Sequence, residues 1–274
     1  MPSAADRETR FTPRRTALGH GELAWREAGQ GTALVLLHGI GAGSGSWVGQ
    51  LEGLASSFRV IAWDAPGYGA SAPLPQAQPL AGDYARVLAE FLQALKIDAL
   101  ALVGHSLGTI MAAAWAARPT AKLRRLVLAS PARGYAQATP EERAAKYRER
   151  IELVERLGIE GMAAQRAARL CAPGAAADAI EIVRRNMARC TPGGYAQAAH
   201  MLANDDLALH LGKVGVPTAV LCGELDSVTP PAACKQVADD AGAPFTLLPG
   251  AGHACYVEDA QRFNAALLDF IGRE

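Results

Sequence analysis

The pentapeptide Gly104-His105-Ser106-Leu107-Gly108 is the segment of this sequence best built for nucleophilic chemistry. It follows the apolar run Ala99 to Val103 and precedes a helix-forming stretch, Thr109 to Arg118, that Pro119 stops. A serine forced into a sharp turn between a strand and a helix projects its hydroxyl above the sheet, and glycines two residues before and after relieve the crowding. Such a hydroxyl stays a weak nucleophile until a base takes its proton, and an acid must hold that base in one tautomer. Both partners are available downstream. Asp226 lies four residues past the apolar run ending at Cys222, and His253 lies five residues past Leu248. Glu224, Asp205 and Asp206 are rival acids, and His200 or His210 could face a pocket from elsewhere. The chemistry this set would perform is acyl transfer through Ser106, with His253 as base and Asp226 as its orienting acid.

Acyl transfer also needs donors for a developing oxyanion, because negative charge in a dry pocket is the costly feature of the transition state. Backbone amides can supply them. His38-Gly39-Ile40-Gly41 directly follows the run Ala33 to Leu37, and its glycines permit a backbone whose Ile40 N–H turns inward. The second donor is the Leu107 N–H at the start of the helix after the serine, where the helix dipole also favours negative charge. His38 is read as a brace for its loop, and His105 as structural, its side chain directed away from the serine's face.

These residues need a scaffold that gathers them at one edge. Short, nearly all-apolar runs at Ala33 to Leu37, Val60 to Trp63, Ala99 to Val103 and Leu126 to Ala129 read as central strands covered on both faces. His20-Gly21 can turn between two early strands, the second being Glu22 to Arg26. Tyr84, Val87, Leu88, Phe91, Leu92 and Leu95 recur at helical spacing, as expected for a crossover helix. Thr218 to Cys222 and Phe245 to Leu248 resume the strand pattern, and Phe263, Leu267 and Phe270 mark a closing helix. Alternation of this kind predicts an α/β architecture with a mostly parallel central sheet flanked by helices. Ser106, Asp226 and His253 would then each follow the C-terminal end of a strand, on the same edge.

Between Ser130 and Thr218 no strand-like run appears, and the stretch is rich in Ala, Arg and Glu. The expected organisation is a core of residues 1–132 and 212–274 interrupted by a helical insertion at 133–211. Thr139, Pro140 and Glu142 fit the first helix of the insertion as N-cap, N1 and N3, Gly158 is placed to end it, and Ala144, Tyr147, Ile151 and Val154 fall on one side. Met162, Leu170, Met187 and Met201 are candidate lining for an acyl pocket, although apolar helix residues more often belong to a core. If a substrate carries a carboxylate, Arg133 or another arginine of the insertion would have to meet it.

Composition narrows the partners. In 274 residues, 27 Lys+Arg balance 27 Asp+Glu, and hydrophobic residues make up 50%. A neutral, well-mixed chain offers nucleic acid and anionic membranes little to hold, and a small or neutral partner fits better. No run approaches the roughly 18 apolar residues of a spanning helix. The polar segment Met1 to Arg15 lacks a secretory pattern, which makes the cytoplasm the expected compartment. Five cysteines at 171, 190, 222, 234 and 255 show no close paired spacing and are read as reduced thiols. No G-x-G-x-x-G follows the first parallel strand, which removes a dinucleotide-binding reading. Oligomeric state is not legible.

With these residues assembled, the chain resembles an α/β-hydrolase-fold enzyme from about Glu22 to Ile271. The resemblance rests on His38-Gly39, the block Asp64 to Ser71, the turn at Ser106, then Asp226 and His253 in that order. It implies that the block from Asp64 is a structural turn, that 133–211 is a helical cap covering the site, and that no metal or organic cofactor is needed. Among such proteins it is similar to 3-oxoadipate enol-lactonases and related carboxylesterases, which implies a small ester or lactone substrate. Carbon–carbon bond hydrolases, which usually carry Asn where this chain has His105, and cofactor-free perhydrolases are the alternatives within the fold. A ligand receptor built on the same fold is the alternative outside catalysis.

Overall fold

The computed structural model describes residues 3–119 and 122–272; Met1, Pro2, Thr120, Ala121, Arg273 and Glu274 lie outside the described residues. Apolar runs bounded by turn residues become strands: β1 (Arg14–Leu18), β2 (Gly21–Ala28), β3 (Ala33–Leu37), β4 (Arg59–Trp63), β5 (Leu100–His105), β6 (Leu123–Ala129), β7 (Thr218–Gly223) and β8 (Phe245–Leu248). They form one sheet in the order β1-β2-β4-β3-β5-β6-β7-β8. β2 pairs antiparallel with both β1 and β4, whereas every pairing from β4 through β8 is parallel. Parallel strands need crossover connections that lay helices on the faces. The helices are α1 (Ala4–Thr9), α2 (Val48–Gly53), α3 (Ala81–Ala94), α4 (Leu107–Ala116), α5 (Pro140–Arg166), α6 (Ala177–Met187), α7 (Pro192–Asn204), α8 (Ala208–Leu211), α9 (Pro231–Asp240), α10 (Cys255–Glu258) and α11 (Ala260–Ile271), of which α2 to α9 lie in the connections between parallel strands.

Side chains alternate across the strands and divide the core in two. Val35, Leu37, Ile61, Trp63 and Leu102 face α3 and α4 on one side. Leu34, Leu36, Val60, Ala62 and Val103 face Trp47, Leu51, Phe263 and Leu267 on the other. The stripe expected for the crossover helix is α3, with Tyr84, Val87, Leu88, Phe91 and Leu92 buried and Leu95 as C-cap. The expected early turn shifts by one residue: Gly19 and His20 form it, and Gly21, at φ 137°, already pairs with Leu18 in the hairpin.

Four segments, α5 to α8, occupy the connection between β6 and β7. The capping box that opens α5 is present, with Thr139 Oγ1 accepting from Glu142 N–H and Glu142 Oε2 accepting from Thr139 N–H, each at 3.2 Å. Gly158 does end the first helical arm, at φ 67° and ψ 173°, a conformation essentially reserved for glycine. Helix resumes at once beyond it, so α5 is two arms meeting at Gly158. Of the stripe expected on its first arm, Tyr147, Ile151 and Val154 are half-buried and Ala144 is exposed.

The short helix α1 had a legible signal that periodicity alone passes over: Ser3 and Asp6 form a capping box. Its Glu8 is buried and meets three guanidinium groups, Arg26 of β2 at 3.7 Å, Arg185 of α6 at 3.5 Å, and Arg189. The N-terminal segment therefore joins the sheet to the helical insertion. Removing Glu8 leaves Arg26 with only the charge of Asp64, while Arg185 and Arg189 remain partly open to water, so the cost is below that of breaking a fully buried pair, at about 2 kcal/mol. Glu8→Ala is expected to lower unfolding free energy by about that amount in urea titration. A change below about 1 kcal/mol would show that the cluster contributes no more than an exposed ion pair.

Candidate active site

β5 ends in Gly104-His105 and α4 starts at Leu107, leaving Ser106 alone to reverse the chain. Its backbone takes φ 51° and ψ −118°, a strained combination for a residue with a side chain. Hydrogen bonds hold it there: Ser106 N–H donates to Ala129 O at 2.9 Å, and Ser106 O accepts from Thr109 N–H at 3.0 Å and Thr109 Oγ1 at 2.6 Å. The flanking glycines are a packing requirement. A Cβ at Gly104 would stand 2.5 Å from Gly108 O, and one at Gly108 would stand 2.5 Å from Leu37 O.

Asp226 follows β7 and His253 follows β8, so the parallel order of the sheet brings both to the edge that carries Ser106. His253 Nδ1 lies 2.9 Å from Asp226 Oδ2, with both side chains almost fully buried. Asp226 Oδ1 accepts from Val228 N–H at 2.8 Å and Thr229 N–H at 2.9 Å. Thr229 Oγ1 lies 2.9 Å from Asp226 Oδ2 and 3.1 Å from Ser130 O, which ties the acid to the end of β6. Burial alone would raise the Asp226 carboxyl, but the bonds from His253 and Thr229 and the charge of His253 outweigh it and hold the group at about 2. With Nδ1–H donated to this carboxylate, Nε2 is the nitrogen left to accept a proton in neutral His253.

The rival groups are engaged elsewhere. Glu224 accepts from Gly250 N–H at 2.9 Å, and Asp205 accepts from Ala81 N–H at 2.8 Å and pairs with His210 at 2.8 Å. Asp206 carries the Ala208 N–H, and His200 contacts Asn204 on its own helix. His105 Nε2 bonds His253 O at 2.9 Å, so it supports the histidine loop from behind. Burial, with the neighbouring His253 charge, pushes the His105 imidazole down to about 3, which keeps it neutral. His38 braces as expected, its Nδ1 bonded to Gly39 O at 2.8 Å and its Nε2 accepting from Ala65 N–H at 3.0 Å. Asp64 and Ser71 are likewise structural, Asp64 accepting from Ser44 N–H at 2.7 Å and Ser71 Oγ donating to Asp64 O at 2.7 Å.

Ser106 and His253 line one cavity of ≈ 330 Å³, roofed by residues of α5, α6 and α7. That volume is at the small end for ligand pockets. Gly39, Ile40 and Gly41 form one wall of it, while Leu107 is buried behind Ser106. Of the four candidates weighed between pocket lining and core, Leu170 and Met187 line the cavity, whereas Met162 and Met201 are fully buried in the core. All five cysteines are buried and unbridged. Among the described residues no helix is long and apolar enough to cross a membrane.

Two contributors were not anticipated. Thr229 could have been found, since an Asx-type turn from Asp226 before Pro230-Pro231 calls for a hydroxyl at that spacing. Glu258 had no sequence signal: its carboxylate accepts from Gly252 N–H at 3.0 Å and Ala172 N–H at 2.7 Å, linking the histidine loop to the insertion.

Residues 32–260 match the family model described as the alpha/beta hydrolase fold. The chain is 30% identical over 252 residues to a pimeloyl-[acyl-carrier protein] methyl ester esterase of Chromobacterium violaceum, covering 89% of this chain and 95% of that protein. Among solved structures it superposes with TM-score 0.83 on a thermophilic esterase from Thermogutta terrifontis, malate bound, at 28% identity over 95% of this chain and 98% of that one. An enol-lactonase from Burkholderia xenovorans LB400 shares the fold, with TM-score 0.80 and 24% identity over 95% of this chain and 100% of that one.

The Asp226 environment carries a pH signature. Its pKa is depressed from 3.8 to about 2, so its contribution to stability is complete above 3.8 and is lost as pH falls toward 2. By linkage that contribution is about 2 kcal/mol. Urea unfolding is expected to show the wild-type protein losing about 2 kcal/mol more than Asp226→Asn between pH 4 and pH 2. Parallel losses in both proteins would mean that the carboxylate is not stabilised in the folded state.

Proposed function

Since this chain belongs to the α/β-hydrolase-fold family, we propose that it is a serine hydrolase that cleaves a small carboxylic ester or lactone through an acyl-enzyme. Ser106 Oγ attacks the carbonyl carbon while its proton passes to His253 Nε2. The N–H groups of Ile40 and Leu107 receive the oxyanion, and α4 adds the positive end of its dipole. Collapse breaks the bond to the leaving oxygen, which takes the proton from His253. Water then attacks the acyl carbon, gives its proton to His253, and releases the acid with Ser106 restored. Asp226 keeps His253 in the required tautomer and stabilises it when charged.

The observation that carries this reading is His253, on the wall of the cavity that holds the strained Ser106, backed at 2.9 Å by the buried Asp226. Ester chemistry among the similar proteins supports the substrate class. In this reading residues 133–211 are the cap, shaping the acyl pocket and excluding water during the reaction. No step calls for a metal or an organic cofactor.

The test is hydrolysis of a panel of short and long p-nitrophenyl esters, several lactones including an enol-lactone, and a ring-cleavage dienoate. Ser106→Ala is expected to lower kcat by at least about 10³-fold on the preferred member, and Asp226→Asn by roughly 10⁴-fold. Turnover unchanged in Ser106→Ala, or none of the panel turned over by the folded native protein, would overturn the assignment. Preference for the dienoate would move it to carbon–carbon hydrolysis.

A further inference from the structure

Three arginines, Arg133, Arg150 and Arg166, line the cavity that holds Ser106 and His253, and no Asp or Glu does so among the described residues. In a chain whose charges balance overall, this is a local excess with a direction. Arg133 is exposed, whereas Arg150 and Arg166 are half-buried. Those two stand on opposite arms of α5, eight residues before and eight after Gly158. The break in the helix is therefore what lets both reach one cavity.

Neither has a carboxylate partner among the described residues. Arg150 donates one bond, from Nη1 to Lys146 O at 2.8 Å, and its Nε is buried without a partner. Some other half-buried arginines of this chain are paired, as Arg59 is with Glu27 at 2.9 Å and Arg184 with Glu181 at 2.7 Å; Arg143, which like Arg150 has a buried Nε without a partner, does not line the cavity. Burial raises the pKa of the Tyr195 phenol on the cavity wall, and Arg166 and then Arg150 oppose it, ahead of the smaller contrary effects of Cys190 and Glu149. On the outer side the two arginines edge a groove in which Lys146, Arg156 and Arg169 outnumber Glu149 and Glu152. The surroundings thus reinforce the positive potential.

A half-buried guanidinium with free donors is satisfied by an anion with planar, paired oxygens. We propose that Arg150 and Arg166 form a subsite for a carboxylate on the substrate itself, so that the preferred ester or lactone carries a free acid remote from its reacting carbonyl. This rests on the reading of Ser106 and His253 as the acyl-transfer centre. The cavity is small, and Ile40, Leu170, Val183 and Met187 give it apolar wall, which favours a short aliphatic spacer between the two ends. A neutral chain entering it would leave the two guanidinium groups desolvated and unpaired, which works against binding.

The experiment compares monomethyl esters of succinic, glutaric and adipic acid with the same esters bearing a terminal amide. kcat/KM is measured for the wild type, Arg150→Gln/Arg166→Gln and Arg150→Lys/Arg166→Lys. The acid-to-amide ratio is the readout, so a general loss of activity or of folded protein cancels. Wild type is expected to favour the acid by about ten- to a hundredfold, mostly through KM, the range of a charge-assisted hydrogen bond. The ratio should fall toward one in the Gln variant and be partly retained in the Lys variant. A wild-type ratio near or below one, or one unchanged by the Gln substitutions, would overturn the subsite. Calorimetric binding of glutarate against glutaramide to Ser106→Ala reads the subsite without turnover. Selective glutarate binding that the Gln substitutions abolish would support it even if the panel of esters failed, and equal binding of both compounds would overturn it.

Discussion

The geometry of the site depends on one residue held where residues with side chains rarely sit. Ser106 takes φ 51° between the last residue of β5 and the first of α4. Strain of this kind costs of order 1–3 kcal/mol and persists only where the surroundings over-determine it. Here the surroundings are the centre of the sheet. β5 lies between β3 and β6, every residue of it is buried, and Ser106 N–H reaches across to Ala129 O at the end of β6. Gly104 and Gly108 allow the strand and helix to close so tightly that a single added Cβ would enter the backbone of a neighbour. Residues that never contact a ligand therefore determine where the serine hydroxyl stands.

The acid and the histidine are positioned by a different kind of force. Their loops follow β7 and β8, toward the outer part of the sheet, and are tied inward by polar contacts as well as by the buried Ala251 and Ala254. His105 grips the His253 carbonyl from beneath, Thr229 links Asp226 to Ser130, and Glu258 takes the N–H before His253. A buried carboxylate is tolerated only because four donors converge on it. The same convergence keeps it ionised, as the proposed acyl transfer would require of the group that orients His253. Structural satisfaction and electrostatic preparation are one arrangement.

Much of this was legible in the residues, for physical reasons that differ from element to element. Ala33 to Leu37 is β3 to the residue, because a strand covered on both faces must be apolar throughout. The capping box at Thr139 and the break at Gly158 were readable because local backbone chemistry dictates them. Ser106, Asp226 and His253 could be placed at one edge from strand order alone, since every parallel strand ends on the same side. What sequence could not supply was direction. Met162 and Met187 are alike in type and setting, yet one is core and the other faces the cavity, because the turn of a helix depends on what packs against it. His200, His210 and Asp205 looked available until their partners appeared, and Glu258 reaches back 86 residues to Ala172, a separation no local pattern encodes.

The division between core and insertion follows from these constraints. Chemistry needs sub-ångström placement, which a close-packed parallel sheet provides and which tolerates little change. Discrimination between substrates needs only a few side chains facing inward from elements that can vary without disturbing the elbow. The half-buried arginines of α5 satisfy that condition. Arg150 and Arg166 lie on α5, outside the strand, turn and helix that hold Ser106, and the glycine that redirects their helix has open space around it. Under the proposed carboxylate subsite, charge could be added to or removed from the roof of the cavity while Ser106, Asp226 and His253 stay as the sheet sets them, so the fold would separate the reaction from the choice of substrate.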